Sequence, residues 1–397
     1  MSTTPRPPRP ASPASRAEEE DVIRLHSPGD VLTTLPYQLG YVPERSLVVL
    51  TLRGKSVFFV GRVDLPPRTA SGREAAAALL VPLSRHRFDR ALVVTVEDAL
   101  VADADQWDGG AGVEERTRAG CDPVERRRAA PRSWTDLARE VCAGLRALGV
   151  QVDERITVRD GMWWCPDGTA RERRPQRLPG AGDVAAVAEF VGRGRVPLRH
   201  RDDLAAMVVG SPEEVRDAGE VDDLVTRFTG GGADRRSLLR AAAAAWARFV
   251  ADDPGGADPD DVPLLLASLH DVPLRDLVLA WLCPRHEPGP SGSAAAEGLH
   301  GAVGGDPPLG GLVRVLGPGP EQGRGHLVAA LTRLCRACPP GRGAPVLAAL
   351  AHVAWWHGDG ALARVAVDAA REHDRDHGLA ALLEQVLDLA VAPEHVA

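Results

Sequence analysis

Residues 47–64 read LVVLTLRGKSVFFVGRVD, and they specify the first β-structure of the amino-terminal half. Its first part, Leu47 to Leu52, is a continuous apolar run of strand length. Its second part, Val57 to Val60, is rich in residues that favour β-structure, and Arg53 to Ser56 supply a turn between the two. The stretch therefore predicts a β-hairpin whose second strand leads to Asp64.

Helix and strand signals on both sides extend the hairpin into an α/β domain. Ser27 has the position of a helix cap before Pro28, and this short helix should end at Leu35, because a residue before proline disfavours helical geometry. The order β-β-α-β-α-β-β predicts a mixed sheet covered by helices over residues 22–182. The other elements that we predict are helices at 71–85 and 133–148 and strands at 91–96, 152–158 and 162–165.

Residues 183–397 carry helical patterns and no strand signal, which predicts an all-helical carboxy-terminal half. The last three helices, within residues 343–391, resemble tetratricopeptide-like hairpins, although no repeat of fixed period supports a true array. Their final apolar stripe consists of Leu379, Leu382, Leu383, Val386 and Leu387. The predicted helices are 183–192, 201–208, 212–228, 235–252, 262–283, 322–337, 343–357, 360–373 and 377–391.

Three polar or Gly/Pro-rich segments interrupt these patterns. Their composition predicts a disordered tail at 1–21, a mobile loop at 97–131 and a disordered stretch at 284–308.

Composition narrows the classes of function. A formal net charge of −8 argues against a general nucleic-acid binder, which would need a local arginine face such as 126–128 with Arg171, Arg173 and Arg174. We expect no membrane partner, because no apolar run reaches spanning length. Six scattered cysteines and the lack of a secretory signal favour reduced thiols and a cytoplasmic location.

Arginine is a weak indicator of phosphate binding in this chain. Lys55 is the only lysine, so 46 of the 47 Lys and Arg residues are arginine, a skew typical of a GC-rich genome. Two motifs that resemble phosphate loops also lack the required context. Gly54-Lys55-Ser56 lies between two strands rather than before a helix, and Gly180-Ala181-Gly182 follows no strand.

Two groups of metal-binding residue types are explained better without a metal. Cys283, His286, Cys335 and Cys338 have donor types that suit zinc, but one pair ends a helix and the other borders the low-complexity stretch. The segment His373 to His377 lies between two amphipathic helices, where capping by Asp374 or Asp376 accounts for it. We therefore predict no metal site, and the sequence does not identify a cofactor.

The best candidate site is a polar cluster next to the hairpin. Arg62 and Asp64 are two residues apart on a strand, so they share one face of the sheet. Glu44, Ser46 and Tyr37 come from the preceding segment, which we expect to be a loop at the same sheet end. A carboxylate beside a guanidinium could position a small polar ligand or act as an acid-base pair. The alternative is an ion pair within the chain that closes the sheet edge.

Several stretches resemble a known family. The opening, LPYQLGYVPERSLVV at 35–49 with RVDLP at 62–66, is similar to an actinobacterial family called domain of unknown function 4192. So are DVPLRD at 271–276 and AWWHGDGALA at 354–363. The resemblance implies a bacterial cytoplasmic protein and implies no activity. Members often carry a longer, cysteine-bearing stretch where this chain has only Cys165.

These observations favour a non-enzymatic module that binds a small polar ligand, or a protein partner through its helical half. The alternative is a hydrolase or transferase that uses the pair of Arg62 and Asp64. Such an enzyme would need a third convergent group from residues 97–131 or 166–182. Of the adjacent tryptophans Trp163 and Trp164, one should face the core and the other outward.

Overall fold

The computed structural model describes residues 23–54, 56–67, 72–100, 132–211, 214–230, 233–251, 258–284, 307–317 and 324–393. The predicted tail at 1–21 and most of the predicted segments 97–131 and 284–308 lie outside these residues.

The amino-terminal half contains a six-stranded mixed sheet with the order β2-β1-β3-β4-β5-β6. Strands β3 and β4 are parallel, and the other neighbours pair antiparallel. The predicted α/β class is therefore confirmed. Among the described strands, the two-residue β6 was not predicted, because so short a strand leaves no pattern. The strands are β1 Glu44–Arg53, β2 Ser56–Asp64, β3 Arg90–Ala99, β4 Gln151–Arg159, β5 Met162–Trp164 and β6 Gln176–Arg177.

The hairpin of β1 and β2 forms as its sequence predicts. Arg53 pairs with Ser56, which leaves a two-residue turn, and Gly54 takes a φ of +58° that favours glycine. Strand β1 is continuously apolar because helices bury both of its faces. Leu47 and Val49 belong to one core cluster, and Val48 and Leu50 belong to another.

Within the described residues, three helices pack on the sheet. Helix α2 (Arg73–Leu83) and helix α3 (Arg132–Ala147) pack on the face of Leu47 and Val49. Helix α3 also makes the long crossover that the parallel pair of β3 and β4 requires. Helix α1 (Pro28–Leu39) covers part of the opposite face, where Leu32 and Leu35 are fully buried.

The end predicted for α1 was wrong, because the helix continues through Pro36 to Leu39 and stops at Gly40, whose φ is +79°. A proline inside a helix removes one hydrogen bond and costs about 3 kcal/mol. Leu39 joins the large helical core, and burying one such side chain contributes about 1.5–3 kcal/mol. Ser27 caps the helix as predicted, since its Oγ accepts from the Asp30 amide at 3.1 Å.

The carboxy-terminal half is mainly helical, as predicted. The one predicted helix at 262–283 is two helices, because Asp271 caps a new start by accepting from the Leu274 amide at 3.1 Å. The helices are α4 Ala185–Gly192, α5 Arg201–Met207, α6 Ala218–Thr229, α7 Ala233–Ala251, α8 Val262–Ser268, α9 Val272–Leu282, α10 Pro307–Leu316, α11 Arg324–Arg336, α12 Ala344–Trp356, α13 Gly360–His373 and α14 Gly378–Asp388. Each helix in the described ranges is too short or too polar to span a bilayer.

The last three helices lie in the segment predicted to form helical hairpins. Asp359 caps α13 by accepting from the Leu362 amide at 3.1 Å, and Gly358 makes the turn with a φ of +75°. Helix α14 is capped by His377, whose Nδ1 accepts from the Ala380 amide at 3.4 Å, rather than by either predicted aspartate. Within the predicted apolar stripe, Leu383 is buried but Leu382 is 56% exposed.

Candidate functional site

A cleft of 1410 Å³ lies between the sheet and the carboxy-terminal helices. Strand β2 forms one wall, and the start of α13 with the segment after α14 forms the other. The two halves are joined beside it, because the Leu198 amide donates to the Gly40 carbonyl at 2.9 Å and the Leu198 carbonyl accepts from the Val42 amide at 2.9 Å. The cleft is therefore an inter-half site, the kind of location where proteins often bind ligands.

Side chains of β2 alternate between the two faces of the sheet, and every second one faces the helical half. Val48 pairs with Arg62, and Ser46 pairs with Asp64, so these four side chains share one sheet face. Val60, on the same face, packs against both the sheet core and the helical core. The prediction that Arg62 and Asp64 share a face is confirmed, and both line the cleft.

Arg62 is held in place from two sides. Its Nε donates to Ser46 Oγ at 2.8 Å, and its Nη2 donates to Asp64 Oδ1 at 2.5 Å. Ser46 in turn donates to the Glu44 carbonyl at 2.5 Å. The guanidinium also lies 5.9 Å from the centre of the Tyr41 ring. These contacts fix the orientation of a side chain that is only 16% exposed.

Asp64 differs from its partner in exposure. Its side chain is 78% exposed, so water screens the ion pair and the pair itself adds little stability, about 0–1 kcal/mol. The same exposure leaves the carboxylate accessible from the cleft. The arrangement is thus a rigid cation at the wall beside an accessible anion.

The helical wall adds a second group of charges. Arg201, at the start of α5, lies 3.7 Å from Asp368 of α13. Arg364, also on α13, donates to Asp388 of α14. Both arginines line the cleft, whereas neither carboxylate does. Sequence reasoning missed both arginines, because only the tertiary fold brings α5 and α13 opposite β2.

The arginines of the two walls share two titratable neighbours. Burial raises the pKa of Tyr41, and the positive charges of Arg62 and Arg201 oppose that shift. Burial likewise raises the pKa of Asp368, and Arg364 and Arg201 oppose it. Arg201 therefore lies within electrostatic reach of the neighbours of both other arginines.

The remaining predicted site residues do not line the cleft. Glu44 lies at the start of β1 rather than in a loop, and its Oε1 is 3.5 Å from His200 Nδ1. Pairing of β1 extends to residue 44 because a bulge at Arg45, with a φ of +40°, absorbs the local shift in register. Ser46 is fully buried beneath Arg62, and Tyr37 of α1 packs its ring 6.0 Å from that of Phe190.

Apolar and aromatic side chains line much of the rest of the cleft. Phe58 of β2 and Trp355 of α12 belong to its walls, and Phe190 lies near the amino-terminal segment. The Trp355 indole donates to the Val391 carbonyl at 2.8 Å, which ties the chain end to the wall. The prediction that one of the adjacent tryptophans faces the core and the other faces outward is confirmed. Trp163 is buried, and Trp164 is partly exposed beside Arg159.

A second polar cluster lies at the carboxyl ends of β3 and β4, where α/β proteins often place ligands. Arg159 pairs with the buried Glu97, whose pKa burial raises. Asp98 Oδ2 accepts from the Asp160 amide at 2.6 Å, while Asp98 Oδ1 is buried without a hydrogen-bond partner among the described residues. Burial raises the pKa of Asp98 to about 6. Glu97 and Asp98 directly follow the predicted strand 91–96. Two acidic residues directly after an apolar strand are the sequence signal that could have indicated this cluster.

The cysteines considered for zinc lie against the helical core. Cys283 and Cys335 are buried within it, Cys338 packs against it, and burial raises the pKa of each thiol. Within the described ranges no three metal-binding side chains group together. His286 lies outside those ranges, as do residues 126–128 of the arginine face considered for nucleic acid.

A family model described as a domain of unknown function, DUF4192, matches residues 28–394. The chain belongs to the DUF4192 family. The match spans both halves, so it includes both walls of the cleft and the end of β3. No curated protein and no solved structure matches this DUF4192 chain.

Proposed function

We propose that this DUF4192 protein is a non-enzymatic binding protein that holds a small polar ligand in the cleft between β2 and the carboxy-terminal helices. The observation that carries the proposal is the fixed orientation of Arg62 at the wall of a 1410 Å³ cleft, next to the accessible carboxylate of Asp64. Apolar walls with a few oriented polar groups are typical of small-molecule sites.

The enzyme alternative has weaker support. It requires a third polar group that converges on Arg62 and Asp64 from residues 97–131 or 166–182. No residue of 166–182 is among the described residues that line the cleft, and Asp64 is 78% exposed and bound to Arg62. A general base must lie within hydrogen-bonding reach of the proton that it removes, and Asp64 already accepts a hydrogen bond from Arg62.

A protein partner on the helical half has less support than a ligand in the cleft. The large apolar side chains exposed there include Leu382, Val272 and Val315, which lie on the three separate helices α14, α9 and α10. Apolar side chains that are exposed singly are common on protein surfaces and mark no docking site by themselves.

We further propose that the protein acts in the bacterial cytoplasm. The five described cysteines are free thiols, which is the state that a reducing compartment maintains.

Native mass spectrometry tests the ligand proposal. Protein purified gently from a bacterial host should carry a small molecule that is lost in the variant Arg62→Met. Arg342→Met is the control, because Arg342 also pairs with a carboxylate, that of Asp222 at 2.7 Å, and lies outside the cleft. A mass without any adduct, or an adduct retained by Arg62→Met, would contradict the proposal.

A further inference from the structure

We infer that the cleft binds a small anion that carries at least two negative charges, such as an organic phosphate or a polycarboxylate. This inference rests on the proposed function and specifies the chemistry of its ligand. Three observations carry it: the charge of the lining, the convergence of three arginines, and the unused donors of one of them.

The lining is positively charged although the whole chain is acidic. Among the described residues, six arginines and a single carboxylate line the cleft, a formal charge of six minus one, or +5. The full chain has 55 acidic against 47 basic residues, so the abundance of arginine alone does not explain the near absence of carboxylates here. A concave surface with one sign of charge concentrates ligands of the opposite sign. The six are Arg24, Arg62, Arg193, Arg195, Arg201 and Arg364.

Three of these arginines come from separate elements and converge. Arg62 belongs to β2, Arg201 to α5 and Arg364 to α13. All three line the same cleft, and Arg62 lies 5.9 Å from the centre of the Tyr41 ring. Arg201 lies 3.7 Å from Asp368, which is one turn along α13 from Arg364. A planar guanidinium binds phosphate or carboxylate through two parallel hydrogen bonds, so converging guanidinium groups favour a ligand with more than one anionic oxygen pair.

Arg201 retains its donors. Its distance of 3.7 Å to Asp368 permits an ion pair but no hydrogen bond, and within the described residues none of its N–H groups has an acceptor. Arg364 donates from Nη2 to Asp388, a carboxylate that is 59% exposed. An anion in the cleft would supply acceptors to both arginines without breaking the buried contacts of Arg62.

The lining also indicates an apolar part of the ligand. Phe58, Phe190 and Trp355 lie among many aliphatic side chains of the same cleft. The cleft volume of 1410 Å³ exceeds the roughly 300–1,000 Å³ of typical small-molecule pockets. One inorganic phosphate would therefore fill only a small part of it. A charged group held by the arginines would thus leave space for a less polar body.

Inorganic pyrophosphate is the probe for the charged group. We expect it to bind the purified full chain in isothermal titration calorimetry at low chloride, with an affinity that falls as salt rises. Arg201→Gln and Arg364→Gln should each weaken that affinity by roughly tenfold, as expected for a lost charged hydrogen bond. Arg336→Gln is the control, because this arginine pairs with Glu214 at 2.8 Å and does not line the cleft.

Circular dichroism of each variant establishes that it is folded before titration. Absence of pyrophosphate binding to the wild type, or equal binding by the cleft variants and the control, would overturn the inference. A neutral co-purifying molecule that Arg62→Met loses in native mass spectrometry would also overturn it while leaving the proposed binding function intact. Pyrophosphate binding that only the cleft variants weaken would support both proposals.

Discussion

The sheet carries two arginine–carboxylate clusters that differ in burial. At the edge strand β2, Arg62 pairs with Asp64, whose side chain is 78% exposed. At the carboxyl end of β3, Arg159 pairs with Glu97, whose side chain is 5% exposed. Desolvation makes the second pair costly to break and raises the pKa of Glu97, whereas the first pair is screened by water. We therefore expect the loss of the cation to affect stability differently in the two pairs.

The largest effect should come from removing the buried cation. Arg159→Met leaves Glu97 buried without its partner, and we expect it to lower the free energy of unfolding by about 3 kcal/mol at pH 8. The loss should shrink at pH 5, because Glu97 can then bind a proton and avoid the uncompensated charge. Urea denaturation at both pH values measures this, and equal small losses at both would show that the pair is not desolvated.

A second effect concerns Asp98, whose pKa burial raises to about 6 from 3.8. A carboxyl with a raised pKa in the folded state binds its proton more tightly there than in the unfolded chain. Its contribution to stability is therefore full below pH 3.8 and is lost as the pH rises through about 6. The shift corresponds to at most about 3 kcal/mol.

Asp98→Asn removes this titration and keeps an oxygen for the Asp160 amide. We expect the variant to be more stable than the wild type at pH 8. Its free energy of unfolding should also no longer fall between pH 4 and pH 6. Urea denaturation across that range provides the measurement. If the free energy of unfolding still falls in the variant, a group other than Asp98 causes the fall.

The smallest effect should come from the edge pair. Arg62→Met keeps the apolar stem of the side chain and leaves Asp64 in water, so we expect a change in the free energy of unfolding below about 1 kcal/mol. The comparison with Arg159→Met would fail if both substitutions cost the same. A small loss of stability combined with loss of the ligand would confirm that Arg62 serves binding rather than folding.

The sequence pattern of a short segment was enough to predict the hairpin of β1 and β2. The run Leu47 to Leu52 and the turn after it specified the hairpin, because both faces of β1 are buried and the turn contains glycine. The end predicted for α1 was wrong because tertiary burial of Leu39 offsets much of the local cost of Pro36. Such an override depends on contacts with distant residues, which no short window of sequence contains.

The candidate site was predictable only on one wall. The spacing of Arg62 and Asp64 placed them on one strand face, and the structure puts both in the cleft. Arg201 and Arg364 are distant in sequence from β2 and lie on helices whose order gives no information about what they face. Glu44 and Tyr37 were grouped with the site by proximity in sequence, but the fold directs them to His200 and Phe190 instead.

A ligand held in the cleft between β2 and the last helices should slow amide exchange in both walls. Hydrogen–deuterium exchange is measured on gently purified protein and on the same protein after unfolding in urea, dialysis to remove the ligand, and refolding. We expect faster exchange after this removal in residues 56–64 and 360–373, with no change in residues 151–159. Identical exchange in the two samples, or a change confined to 151–159, would contradict the presence of a ligand in the cleft.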